Sequence, residues 1–372
     1  MCSSDRQTTA FSRAVLDWYT RCGRKDLPWQ VQPTPYRVWV SEIMLQQTQV
    51  TTVIPYYQRF MARFPDIRTL AQAQQDQVLH HWSGLGYYAR ARNLQAAAQQ
   101  LVEKFNGEFP HCFDDVVALP GIGRSTAGAI LSLACDQYYP ILDGNVKRVL
   151  TRYHVVDGWP GQVSVLKQLW ELAERYTPQQ RTADYTQAIM DLGATVCART
   201  RPRCDDCPVS TGCAAHAAGK ESEYPTSRPK KILPVRSVCM LMLCNDNGEV
   251  LLEQRPSAGI WGGLWSFPEL AQVDEVAAYC HDSLGIKAVD VTAWPVVRHT
   301  FSHFHLEITP AIARAGVDPT MVMEAPHRLW YNPDGTEERG LAAPVEKLLQ
   351  RLSASQEWRD HHDTNRKLRK TG

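Results

Sequence analysis

Four of the eleven cysteines lie close together in the stretch CARTRPRCDDCPVSTGC. They are Cys197, Cys204, Cys207 and Cys213, separated by six, two and five residues. Four thiolates so near in sequence can close on one metal centre without help from distant parts of the chain. Zinc is the alternative to an iron–sulfur cluster, but structural zinc sites usually repeat a C-x2-C pair, and only one is present here. The density of thiols predicts a metal ligand in either case.

Two carboxyl groups stand where acid–base chemistry is feasible. Glu42, in PYRVWVSEIMLQQTQV, has apolar neighbours, and apolar surroundings raise the pKa of a carboxyl so that it holds a proton near neutrality. A lone helical glutamate is more often solvated. Asp143, in ILDGNVKRVL, comes just before a helical run, where an aspartate is ordinarily an N-cap.

A glycine turn precedes a helix in LPGIGRSTAGAI, residues 119–130. Glycines at a helix start indicate close approach of the backbone to a phosphate. Gly121 and Gly123 are not followed by the spacing of a G-x-G-x-x-G motif, nor by the Gly-Lys-Ser/Thr of a P-loop. The turn alone leaves open whether the phosphate belongs to a nucleotide, a cofactor or DNA.

These residues must be positioned by a mostly helical region, which extends from about residue 10 to 215. Apolar residues recur at helical spacing, and Pro and Gly separate the segments. The predicted helices include 35–45, 67–82, 89–105 and 163–176.

The sequence pattern changes from helical to strand-like after a Pro- and Lys-rich linker, ESEYPTSRPKKILPVR. SVCMLMLC and EVLLEQR, joined by NDNG, are typical of a β-hairpin. Further strand is expected over 296–310 and a helix over 273–284, which predicts a smaller α+β domain.

Composition is that of a globular protein, with 44% hydrophobic and 21% charged residues. The net charge of +1 excludes a general basic field but not a local basic face. The first residues lack an apolar signal core and no run approaches 18 apolar residues, so we expect a cytoplasmic location and no membrane partner. The odd cysteine count argues against a secreted disulfide scaffold.

The cysteine spacing resembles the [4Fe-4S] loop of the endonuclease III group of helix-hairpin-helix DNA glycosylases. This resemblance implies that Gly121 and Gly123 form the hairpin, whose backbone N–H groups hold a DNA phosphate. It also implies DNA contacts by the arginines between the first two cysteines, although solvated arginines are the alternative. These are Arg199, Arg201 and Arg203.

The stretch EIMLQQT resembles the adenine DNA glycosylases within that group. The resemblance implies that Glu42 protonates adenine N7 and that Asp143 stabilises the positive charge at C1′, with Asn145 orienting Asp143 or water. Ser125 occupies the position where strand-cutting members carry a Schiff-base lysine, so base removal without an efficient lyase step is expected. Lys147 is assigned to DNA binding and not to catalysis.

Adenine must leave the duplex to be reached, so something must fill the gap. Gln47 is the candidate wedge after the Glu42 helix. In GLGYYARARNL, Leu85 and Tyr87 are candidates for insertion beside the opposite base, and Arg90 and Arg92 for phosphate contacts. Without the resemblance, ordinary packing would be the better interpretation of Tyr87.

The stretch GIWGGLWSFPEL resembles a Nudix fold. Its expected helix, VDEVAAYCHDSLG, has alanines where a hydrolase needs charged Mg²⁺ ligands, so pyrophosphatase activity is not expected. The segment RHTFSHFHLEI resembles the element with which the adenine glycosylases check for 8-oxoguanine. Ser302 and His303 are the residues assigned to that contact.

The predicted fold class is multidomain, with an all-α helix-hairpin-helix glycosylase domain carrying a [4Fe-4S] loop and an α+β Nudix-like C-terminal domain. The predicted boundaries are a helical region over 1–220, a linker over 221–236, a Nudix-like domain over 237–350 and a polar tail over 351–372. Within the helical region, a six-helix module is expected over about 30–139, and a cluster module is expected from 1–29 together with 140–220.

The resemblance implies a monofunctional adenine DNA glycosylase acting on double-stranded DNA with A opposite 8-oxoguanine or G. A monomer associated with a bacterial nucleoid is expected, and the sequence does not identify its protein partners. Two alternatives stay open: a bifunctional pyrimidine glycosylase of the endonuclease III type, and a non-catalytic iron–sulfur DNA-binding protein. Ser125 argues against the first, and the second has no need of both Glu42 and Asp143.

Overall fold

The computed structural model describes residues 8–229, 232–316 and 327–355. The chain divides into two compact units. The first contains residues up to Gln72 together with Asn93–Lys230, and the second contains Ala73–Arg92 with the residues from Lys231 onward. A short piece of the helical region therefore groups with the C-terminal residues.

Residues 10–217 form twelve α-helices in the described part of the chain. They are α1 (Ala10–Cys22), α2 (Pro35–Leu45), α3 (Val50–Arg63), α4 (Ile67–Gln72), α5 (Gln75–Trp82), α6 (Ala89–Phe105), α7 (Phe113–Val117), α8 (Arg124–Cys135), α9 (Gly144–His154), α10 (Val163–Tyr176), α11 (Thr182–Asp191) and α12 (Ala214–Ala217). A π-helical turn, Leu192–Val196, follows α11 directly and leads into the cysteine stretch.

Local signals explain where these helices begin. The Thr34 side chain caps α2 by accepting from the Arg37 N–H, and Pro35 occupies the first helical position, where its missing N–H is harmless. Asp143 caps α9 in the same way. The predicted helix over 67–82 is wrong in one respect, because it breaks between α4 and α5.

The core of the first unit joins the beginning of the chain to its later helices. Buried residues of α1, such as Trp18, cluster with Leu150 of α9, Leu169 of α10 and Ile189 of α11. Elsewhere in this unit α2 packs against α8. These contacts bring the Glu42 helix and the Asp143 helix into one compact body.

The second unit contains a mixed β-sheet with strand order β3-β2-β1-β7-β5. Its strands are β1 (Val235–Cys244), β2 (Val250–Gln254), β3 (Trp265–Ser266), β4 (Glu269–Leu270), β5 (Ala288–Ala293), β6 (Val297–Thr300), β7 (His305–Ala315) and β8 (Arg328–Tyr331). Strands β1 and β7 are parallel, and the other pairs are antiparallel. The prediction of an α+β domain is confirmed.

Helices α13 (Val276–Leu284) and α14 (Ala343–Ser353) complete this unit. Cys280 of α13 is buried with Leu241 and Leu243 of β1. The predicted strand over 296–310 is interrupted by a turn at 301–304, and α14 continues into the predicted tail, of which 356–372 lies outside the described residues. No helix among the described residues is long and apolar enough to cross a membrane.

Replacement of Asp191 by Ala is expected to destabilise the first unit. Asp191 is 1% exposed in its side chain and accepts hydrogen bonds from the Arg24 guanidinium and from the Gln187 amide. Removing one partner of a buried pair leaves an unpaired cation and costs about 3–5 kcal/mol. Denaturant unfolding measures this loss in the free energy of unfolding.

Asp184→Ala is the matched control. Asp184 pairs with Arg181 on the surface of the same unit, and exposed pairs contribute about 1 kcal/mol or less. Equal losses from the two substitutions would contradict a structural role for the Asp191 contacts.

Candidate active site and nucleic-acid interface

Glu42 lies on α2 between buried neighbours. Ser41, Ile43 and Met44 are fully packed, whereas Glu42 is half-buried. Burial raises the pKa of Glu42 to about 8, and the negative charge of Asp143 contributes in the same direction. The Glu42 carboxyl is therefore largely protonated at neutral pH and can donate a proton.

Asp143 is both an N-cap and a member of the site. Its Oδ1 atom accepts from the Val146 backbone N–H at 2.7 Å, and its Oδ2 atom accepts from the Asn145 side-chain amide at 3.0 Å. Burial raises the pKa of Asp143, and these hydrogen bonds and the Arg148 charge oppose that rise. The donors favour the ionised form of Asp143.

The two carboxyl groups titrate as a pair. Each is poorly hydrated, and a charge on Asp143 makes ionisation of Glu42 harder. The hydrogen-bond donors surround Asp143, so they favour the proton on Glu42 rather than on Asp143.

Helix α8 fixes the segment that leads to Asp143. The Ser125 hydroxyl accepts from the Leu142 backbone N–H at 3.0 Å. One turn along the helix, a Cβ added to Gly128 would lie 2.8 Å from the Pro140 carbonyl oxygen. The Ser125 hydroxyl and the absence of a side chain at Gly128 therefore let the segment before Asp143 pack closely on α8.

The glycine turn before α8 has the geometry of an anion site. Gly121 has φ of +79°, and a Cβ there would lie 2.9 Å from the Asn93 Cβ. Gly123 is the N-cap of α8, and among the described residues no side chain caps the first N–H groups of this helix. Exposed N–H groups at a helix start attract phosphate.

Arg148 links the Asp143 site to the cysteine stretch. Its guanidinium donates to the Asn145 side-chain oxygen at 2.8 Å, the Gly193 carbonyl at 2.6 Å and the Cys197 carbonyl at 2.7 Å. Sequence reasoning missed this residue. The available signal was its place one helical turn after Asn145, where side chains meet.

The four cysteines line one cavity, together with Arg152 and His216. Burial, with the neighbouring thiols, raises the pKa of Cys207 to about 11. Bare thiolates are thus unfavourable here, and a bound cation would reverse this. Arg152 donates to the Cys197 sulfur at 3.3 Å, which suits an anionic thiolate. The donor set fits a four-thiolate cluster.

His216 and Glu221 also face this cavity. Ligand atoms of Cys204, His216 and Glu221 lie within 4.8 Å of one another, which keeps zinc as the competing metal. The arginines of the cysteine stretch are exposed, and Arg203 also donates to the Thr195 carbonyl at 2.9 Å. The three sequence-predicted contacts here are Arg199, Arg201 and Arg203.

Two wedge candidates are exposed in strained backbone. Gln47 has φ of +59° and Tyr87 has φ of +50°, and each side chain reaches solvent. Non-glycine residues rarely adopt such values, and those that do cluster at functional sites. Leu85 was predicted to insert beside the opposite base, but its side chain is only 6% exposed and is buried within the second unit. Lys147 is half-buried on α9.

The arginines after Tyr87 point inward. Arg90 is 8% exposed and donates to the Leu85 and Gly86 carbonyls at 3.2 and 3.0 Å. Arg92 donates to the Gly262 carbonyl at 2.6 Å. Phosphate contacts by this pair stay a prediction, and both guanidinium groups already donate to backbone carbonyls within the second unit.

Ser302 and His303 lie at the tip of the β6–β7 hairpin. Both are exposed, whereas Phe304 beside them is 1% exposed and stacks on Phe301 with ring centroids 4.6 Å apart. The aromatic pair anchors the turn and leaves a hydroxyl and an imidazole free to face a partner.

The fold has known counterparts. Residues 40–175 match the HhH-GPD superfamily of base excision DNA repair proteins, and residues 239–351 match the NUDIX domain. The solved structure of a thermostable thymine-DNA glycosylase superimposes with a TM-score of 0.50 at 26% identity, covering 56% of this chain and 95% of that one. The first of these domains places the chain among the base excision repair proteins.

Its curated relatives define the family more closely. The adenine DNA glycosylase of Buchnera aphidicola subsp. Acyrthosiphon pisum (strain APS) is 40% identical over 343 residues, covering 91% of this chain and 97% of that protein. The adenine DNA glycosylase of Homo sapiens is 33% identical over 407 residues, covering 92% and 74%. The chain belongs to the adenine DNA glycosylases, which hydrolyse the N-glycosyl bond of adenine in base excision repair.

Adenine release is expected to depend on pH through this pair. Because Glu42 must be protonated to act as an acid, the single-turnover rate should fall as pH rises through about 8. At low pH the rate should fall again as Asp143 takes up a proton. Rates on a duplex with A opposite G, measured with DNA fully bound, give the profile. A rate that stays level through the alkaline range would contradict Glu42 as the acid.

Proposed function

We propose that this enzyme removes adenine paired with 8-oxoguanine or guanine in double-stranded DNA, and that it leaves the strand intact. The feature that supports the proposal is the Glu42–Asp143 pair, in which burial raises the pKa of Glu42 to about 8 and hydrogen-bond donors surround Asp143. Glycosidic bond cleavage uses such a pair, one carboxyl as acid and the other as a stabilising anion.

Glu42 acts on the leaving group. Adenine is a poor leaving group as an anion, and protonation at N7 lets it depart as a neutral base. The raised pKa of Glu42, about 8, keeps this proton available at neutral pH. Its half-buried position leaves the carboxyl open to a flipped nucleotide.

Asp143 acts on the sugar. As the base leaves, positive charge develops at C1′, and a fixed carboxylate stabilises it without reorganisation. The Val146 N–H and the Asn145 amide hold Asp143 in place through both oxygens. Water then attacks C1′ and completes the hydrolysis.

Ser125 is a positioning residue in this scheme. Its hydroxyl accepts from the Leu142 N–H, one residue before Asp143, and a hydroxyl cannot form the imine by which lyases cut the strand. Borohydride should therefore trap little covalent complex with substrate DNA. Strong, efficient trapping would favour the bifunctional alternative.

Residues of both units are assigned to holding and opening the DNA. The N–H groups near Gly121 and Gly123 bind a phosphate, Gln47 fills the gap left by the flipped adenine, and Tyr87 inserts beside the opposite base. Ser302 and His303 face the opposite base. Their hydroxyl and imidazole suit the N7–H and O8 groups by which 8-oxoguanine differs from guanine.

The four cysteines hold a [4Fe-4S] cluster in this proposal. When bound, the cluster cross-links the loop and adds a redox-capable centre. The chain orients Cys197 through Arg152 and Arg148, and it presents the exposed arginines to DNA phosphates.

Glu42→Gln tests the proposed acid. The amide keeps the shape of the side chain but lacks the acidic proton, so single-turnover adenine release opposite 8-oxoguanine should fall by about 100-fold or more. DNA binding should persist. Glu103→Gln, an exposed change on α6, is the matched control and should leave the rate unchanged. A Glu42→Gln variant as fast as the wild type would refute the mechanism.

Cys207→Ser tests the cluster. Loss of one thiolate should remove the broad visible absorbance of the purified protein and lower its iron content. Cys112→Ser, at an exposed cysteine away from the cavity, should retain both. A colourless wild-type protein that contains zinc would rule out the [4Fe-4S] assignment.

A further inference from the structure

The loop 83–88 carries Tyr87, and contacts on both sides of it hold it within the second unit. We call these two contacts, made by Asp76 and by Arg92, the first and second fastening. Before the loop, α5 carries Asp76, whose carboxylate accepts from the Trp265 indole N–H at 3.0 Å and from the Arg339 guanidinium at 2.9 Å. After the loop, Arg92 donates to the Gly262 carbonyl at 2.6 Å. Neither contact serves the chemistry of the Glu42–Asp143 pair.

The Asp76 contact is half-buried, and the residues around it are closely packed. Trp265 is 4% exposed, and the Arg339 guanidinium lies 5.4 Å from the centre of its ring. A Cβ added to Gly340 would lie 2.6 Å from the Leu79 Cβ, so α5 rests directly on this backbone. A charged carboxylate with two donors in such surroundings is a specific and costly arrangement to break.

The second fastening, between Arg92 and Gly262, lies beside a residue that contacts the β6–β7 hairpin. Gly262 follows Trp261, which has φ of +52° and whose ring lies 5.1 Å from Phe301 and 5.3 Å from His299. Phe301 directly precedes Ser302. A continuous set of contacts therefore connects Arg92 with the turn at 301–304.

Side-chain hydrogen bonds also support the backbone of the loop 83–88. The Trp82 indole donates to the Gly86 carbonyl at 3.1 Å, and Arg90 donates to the same carbonyl and to that of Leu85. Tyr87 remains 50% exposed. With its neighbours fixed and its side chain outward, Tyr87 is presented in a direction that the fastenings determine.

We propose that Asp76 and Arg92 are positioning residues that join the Tyr87 loop and the hairpin tip into one recognition element for the base opposite adenine. The tyrosine that inserts beside this base and the groups that face its edge then keep a fixed separation. This inference rests on the proposed roles of Tyr87, Ser302 and His303.

Arg92→Ala should release the loop without touching the catalytic pair. Because misplacement of a contacting group by about 1 Å can cost on the order of 100-fold, the preference for A opposite 8-oxoguanine over A opposite G should fall by about tenfold or more. The single-turnover rate with saturating enzyme should change far less than the affinity for DNA. Arg92→Lys, which retains a donor, should restore part of the preference.

A double-mutant cycle separates positioning from general damage. Affinity for a duplex with A opposite G is measured for Tyr87→Ala, Arg92→Ala and the combined variant. If Arg92 acts through Tyr87, the combined loss should equal that of Tyr87→Ala alone. Multiplicative losses would overturn the proposal.

One further variant is a control, and another can replace Arg92→Ala. Arg314→Ala removes an exposed arginine that pairs with Asp290 in the same unit, and it should behave as wild type. An equal loss of affinity from Arg314→Ala would overturn the proposal. If Arg92→Ala fails to fold, Asp76→Asn takes its place in the cycle with the same expected non-additivity.

Ser302→Ala separates a failure of the proposed function from a failure of this inference. Unchanged preference for 8-oxoguanine in Ser302→Ala would refute the assignment of Ser302. The cycle with Tyr87 uses guanine opposite adenine and does not depend on that assignment. Additivity in that cycle would overturn the positioning role even where Ser302→Ala behaves as expected.

Discussion

The burial of two carboxyl groups, Glu42 and Asp143, in one site is the constraint on which the rest depends. Glu42 and Asp143 cannot both ionise easily, and the donors around them decide which one keeps the proton. Asp143 receives hydrogen bonds from Asn145 and Val146, and these donors favour its ionised form. An acid and an anion result from two similar side chains because their surroundings differ.

The helical scaffold keeps this pair together by close backbone packing. Gly128 and Ser125 let the segment before Asp143 lie against α8, and α8 packs against the Glu42 helix. Arg148 extends the same arrangement to the cysteine stretch, since it contacts both Asn145 and the Cys197 carbonyl. Catalytic geometry and the integrity of the cysteine loop are therefore connected through a few hydrogen bonds.

Much of this arrangement is predictable from the sequence, because its signals are local. Helices 35–45 and 163–176 have the predicted bounds, since apolar periodicity and flanking breakers act within a few residues. The break within 67–82 and the turn at 301–304 were missed because the local pattern continues through both. The inward role of Arg92 was missed because its acceptor lies 170 residues away in the chain.

The protonation state of Glu42 is the central claim, and carboxyl-labelled glutamate observed by ¹³C NMR tests it most directly. One glutamyl carboxyl should titrate with a pKa near the expected value of about 8, and this resonance should be absent from Glu42→Gln. If every glutamyl carboxyl titrates near the ordinary value of about 4.3, Glu42 is ionised at neutral pH and cannot be the acid.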